Sequence, residues 1–143
     1  MTVDLDAAAI GRGTARLLAT LDFAVLAEFP LANGRRADLF ALGHDGTCVI
    51  VEIKSSLADY RADRKWREYL PWADRFYFAV ASGFPHHLLP PEEGLLLADR
   101  FEGTILREAP SRPLAAARRR SLTLRFARLA ASRLARLTDP PPG

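Results

Sequence analysis

The stretch Val49-Ile50-Val51-Glu52-Ile53-Lys54 constrains the fold of this chain more than any other. It reads as a short, nearly all-apolar strand whose far end carries a carboxylate and an ammonium, two residues apart. Side chains alternate across a strand, so Glu52 and Lys54 point to the same side. Burying both charges is costly unless they pair or bind something. Asp38 lies upstream, at the head of a second apolar run, Asp38-Leu39-Phe40-Ala41-Leu42. The turn formers Gly43-His44-Asp45-Gly46 separate the two runs, and such a pair of strands predicts an antiparallel hairpin. The hairpin brings Asp38 beside Glu52, with Lys54 at the same rim. Two acids and a lysine there suit a divalent-metal site with a cation beside it. The plainer alternative is an ion-pair cluster at a sheet edge with no metal.

The rest of the chain reads as support for that rim. Asp6 is placed to cap a helix over residues 7–21, with Ile10, Leu17, Leu18 and Leu21 on one stripe. Phe23 to Phe29 forms a strand ending at Pro30, and Asn33-Gly34 is a strong turn signal. Ser56 is placed as the cap of a helix that runs to about Leu70 and stops before Pro71. Arg75 to Ala81 is a further strand, rich in aromatic and β-branched residues. The order helix, three strands, helix, strand (αβββαβ) predicts an α/β fold, a mixed sheet flanked by helices. Leu95–Ala98 and Thr104–Leu106 suggest a terminal hairpin. Pro113 suits the first turn of a helix from about Leu114 to Leu137, whose apolar stripe, Leu122, Phe126, Ala130 and Leu137, is broken by Arg133. His86-His87 reads as a loop or a single helical turn, and Cys48 as a buried strand residue.

Composition bounds the function. The chain has 143 residues, 49% of them hydrophobic, enough for one domain with a sizeable core. We place this domain at 1–110, followed by a basic helix at 111–138 on or extending it and a disordered tail at 139–143. A single cysteine fits a reducing compartment, and no secretory signal or membrane-length apolar run is visible, which predicts a cytoplasmic protein. Residues 1–108 carry 12 Lys and Arg against 16 acids, whereas residues 109–143 carry 8 Arg against one acid. All of the net positive charge therefore lies in the C-terminal segment, a distribution suited to nucleic acid or an acidic partner.

With these residues placed, the chain resembles the PD-(D/E)xK nuclease superfamily and, within it, the MmcB-like bacterial DNA-repair proteins. The resemblance spans about residues 8–82. It rests on Arg35-Arg36-Ala37-Asp38, Val51-Glu52-Ile53-Lys54-Ser55-Ser56, Asp63-Arg64-Lys65-Trp66 with Tyr69, and Asp74-Arg75-Phe76-Tyr77-Phe78-Ala79-Val80. It implies a restriction-endonuclease-like core with Asp38 and Glu52 as metal-binding acids and Lys54 as the motif lysine. Ala37 stands where the superfamily motif has proline. Glu28 resembles an extra acid that some members use. Lys65 and Tyr69, read as i and i+4 on one helix, resemble a Gln-x-x-x-Tyr motif with Lys in place of Gln. The implied activity is Mg²⁺-dependent hydrolysis of DNA in repair, with Mn²⁺ as a substitute. Arg35, Arg36, Arg61, Lys65 and Tyr69 are the candidate DNA contacts, and other repair proteins are candidate partners. The alternative is a non-cutting member that binds DNA or scaffolds a repair complex.

Overall fold

The first helix, α1 (Ala7–Thr20), begins as its sequence dictates: the Asp6 carboxylate accepts from the Ala9 N–H at 2.8 Å. The computed structural model describes residues 6–143. Gly13 in the middle of α1 has a packing reason. A Cβ there would lie 1.8 Å from the Asp99 carbonyl, so only glycine lets the helix lie on the sheet's far hairpin.

Six strands follow in sheet order identical to chain order: β1 (Phe23–Pro30), β2 (Arg36–Gly43), β3 (Cys48–Ile53), β4 (Arg75–Val80), β5 (Gly94–Ala98) and β6 (Gly103–Arg107). The β1–β2 and β2–β3 pairs are antiparallel, as their turns require, and Gly46 takes the positive φ of 88° in the second turn. The β3–β4 and β4–β5 pairs are parallel, and β6 returns antiparallel to β5. The parallel step from β3 to β4 needs a crossover. It is made by a short α2 (Leu57–Ala62) and a 3-10 turn over Trp66–Trp72.

Strands β3 and β4 are buried on both faces, which explains their near-continuous apolar sequence. On one face, Ile10 and Leu18 of α1 pack on Leu39, Val49, Val51, Tyr77 and Leu96. On the other, Phe29, Phe40, Ile50, Phe76 and Phe78 meet Trp66, Tyr69 and the helix α3 (Ala116–Thr138) through Leu122 and Phe126. Phe29 and Phe40 stack at 4.2 Å between ring centroids, and Trp66 meets Phe78 edge-on at 5.2 Å. Burying each such ring stabilises the fold by roughly 1.5–3 kcal/mol.

Three expectations are corrected. The helix after Ser56 does not reach Leu70. It ends at Ala62, because Asp63 turns its carboxylate onto the Lys65 N–H and onto Lys54, and the chain re-enters as the 3-10 turn that contains Pro71. Lys65 and Tyr69 therefore do not share an α-helical face. The last helix starts at Ala116 rather than beside Pro113, since the Leu114 N–H is taken by the buried Asp74 carboxylate. Of the expected stripe, Leu122, Phe126 and Ala130 face the core, with Leu129 beside them, whereas Leu137 is 82% exposed. Arg119 clamps the helix to Asp74 with two hydrogen bonds.

Candidate active site

Strands β2 and β3 pair through Leu39 and Val51, and one step beyond that pair lie Asp38 and Glu52. Side chains take over from the ladder here. The Asp38 N–H donates to Glu52 Oε1 at 3.0 Å, and the Ile53 N–H donates to Asp38 Oδ2 at 2.8 Å. The two carboxyls lie close enough for each to perturb the titration of the other. Glu52 is 5% exposed. Burial pushes its carboxyl up to about 9, with the Asp38 charge adding to the effect. Burial likewise raises Asp38, against the opposing pull of the Ile53 N–H and of Lys54. At neutral pH the Glu52 carboxyl therefore keeps its proton, beside an Asp38 whose own pKa is raised.

Lys54 follows on the same side. Its backbone N–H bonds the Ala79 carbonyl at 3.0 Å, which extends the β3–β4 pairing and fixes where the side chain departs. Its ammonium is buried against Asp63 Oδ2 at 2.7 Å, with Asp59 Oδ1 at 4.0 Å. The sequence reading missed both acids. Asp63 lies inside the motif block, but its contact is made by a break in the helix that no periodicity announces.

Glu28 sits across from Asp38 on β1 at a φ of 51°. Its carboxylate is largely exposed and pairs with Arg36 at 3.4 Å, while its charge still reaches Asp38. Among the described residues, no three His, Cys, Asp or Glu side chains gather as a ready metal cluster. From α3, Arg133 donates to the Ala27 carbonyl at 2.6 Å and to that of Glu28 at 2.9 Å, a clamp on the strained residue. Tyr69 is buried, its hydroxyl donating to the Arg36 carbonyl at 3.0 Å, and it lies near enough for both acids to raise its own pKa beyond the effect of burial. Arg35 pairs with Glu68 at 3.5 Å, while Arg36, Arg61 and Lys65 are exposed. The structure thus joins Asp38, Glu52 and Lys54 at one rim. It leaves Glu28 beside them and turns Tyr69 inward.

Residues 3–141 match the family described as DNA repair protein MmcB-like. The chain belongs to the MmcB-like DNA repair family. A solved structure similar to this MmcB-like chain is the SPO1766 protein of unknown function from Silicibacter pomeroyi. The two are 46% identical with a TM-score of 0.91, over 96% of this chain and 95% of that one. No curated protein matches the MmcB-like chain.

Proposed function

We propose that this protein is a divalent-metal-dependent DNA nuclease of the PD-(D/E)xK type that acts in repair. The observation that carries the reading is the carboxyl pair Asp38–Glu52. Each acid spends one oxygen on a backbone N–H of the neighbouring strand, which fixes its orientation, and the crowding helps to hold Glu52 in its protonated form. A buried carboxyl crowded against a part-buried one marks a place where a cation is favoured. Two carboxylates with water completing the shell fit Mg²⁺, which binds few carboxylates and keeps its waters. A metal bound there would activate water and polarise a phosphodiester. Asp38 and Glu52 would hold it, displacing the proton on Glu52. Lys54, on the same side of β3, would orient the attacking water or meet charge developing on the phosphoryl oxygens. The exposed Arg36, Arg61 and Lys65 supply phosphate contacts around the rim.

A second reading, DNA binding or scaffolding without cleavage, is favoured by the ion pair that occupies Lys54 and by the exposed, Arg36-paired state of Glu28. Cleavage assays with Mg²⁺ and Mn²⁺ on single-stranded, duplex and branched DNA separate the two. Glu52→Gln and Lys54→Ala should each lower cleavage by roughly 100-fold or more, with DNA binding retained. Wild-type protein that binds DNA and cuts none of the three would replace the nuclease reading with the second.

A further inference from the structure

We propose that Asp63 is a positioning residue for Lys54, holding its ammonium at the carboxyl rim; the inference rests on the nuclease reading for its consequence but not for its geometry. A lysine carries a compact charge on a flexible four-carbon stem, and left to itself the stem carries the charge out to water. Lys54 does not do this: its side chain is 6% exposed. Its stem leaves the end of β3 beside Glu52, and its ammonium meets Asp63 at 2.7 Å.

Asp63 is itself fixed. Its other oxygen accepts the Lys65 N–H at 2.8 Å, closing the local turn that ends α2. One carboxylate therefore does two things, breaking the helix and aiming the lysine. Asp59, at 4.0 Å and half-exposed, is an auxiliary charge rather than the anchor. α2 buries no residue of its own and rests on partial contacts of Leu57 and Tyr60. The Lys54–Asp63 pair is accordingly a main tie between this segment and the sheet. The sequence break Asp63-Arg64-Lys65 thus sets where the motif lysine stands.

The chain contains two lysines, Lys54 and the exposed Lys65, so covalent labelling of amines followed by mass spectrometry reads the first against the second in one sample. At fixed pH, metal-free wild-type protein should label slowly at Lys54. Asp63→Asn should raise Lys54 labelling about 10-fold relative to Lys65, and Asp63→Glu should restore part of the protection, since a carboxylate–ammonium bond is roughly twice as strong as its neutral counterpart. Cleavage by Asp63→Asn should fall by up to about 100-fold, the cost of a misplaced reacting group, at unchanged DNA affinity. Asp59→Asn should leave labelling near wild type. Unchanged Lys54 labelling in Asp63→Asn would overturn the proposal, as would faster cleavage, which would make Asp63 a mask over the lysine. If wild type cuts no DNA, the nuclease reading fails, while the labelling still decides whether Asp63 holds Lys54.

Discussion

Glu52 is the residue at which the energetics of this protein turn against its stability. Its carboxyl is raised from 4.5 to about 9 by burial and by Asp38. Between those values the folded state binds a proton that the unfolded chain has released. Stability must therefore decline as pH rises through that window and level off above it. Glu52→Gln keeps the acceptor for the Asp38 N–H and adds a permanent donor toward the Asp38 carboxylate, imitating the protonated acid. In metal-free buffer its thermal midpoint should exceed that of wild type, by a margin that widens from pH 5 to pH 9. Parallel melting curves across that range would show instead that the carboxyl pair is solvated in solution. The opposite case is Asp74, whose carboxylate accepts from Arg119 and from the Cys48 and Leu114 N–H groups and sits below its usual range despite burial. Its contribution is present above about pH 3.9 and is lost only below it.

Among the elements, α3 is the one whose role changed most between sequence and structure. It is basic throughout, yet Arg118, Arg119, Arg125 and Arg133 all bond to the protein's own body. Arg133 holds the β1 backbone at Glu28, where a non-glycine residue stands at positive φ and costs strain. Arg133→Ala should lower the thermal midpoint, and Glu28→Gly should recover part of that loss because glycine adopts this conformation freely. A loss equally large in the glycine background would show that the arginine acts elsewhere. Strong local signals were legible in the sequence: Asn33-Gly34, the Gly43–Gly46 turn, the Asp6 and Ser56 caps, and the alternation that set Glu52 and Lys54 on one side. The end of α2 was not, because Asp63 breaks the helix for a partner, Lys54, on another element. Arg133 was visible only as a fault in an apolar stripe. The fault is the contact itself, a charge placed on the inner face to reach two carbonyls far away in sequence.

For the molecule as a whole, the charge imbalance reads differently once these arginines are assigned. Deleting the C-terminal segment would remove Leu122 and Phe126 from the core, so loss of DNA binding by such a truncation would not isolate electrostatics. Arg120, Arg128 and Arg136 are exposed and remain for an external partner. Replacing all three with Gln should preserve the fold. If they meet DNA, the slope of log affinity against log salt should flatten by about 0.9 for each duplex phosphate that is no longer neutralised. An unchanged slope would place the DNA contacts at the rim alone, on Arg36, Arg61 and Lys65. The order of the elements has one more consequence. The helix that covers the Phe29–Phe40 stack comes after all six strands in the chain. A ribosome making this protein therefore finishes the whole sheet while that aromatic face is still open to water, and the face closes only once residues 116–138 have left the exit tunnel.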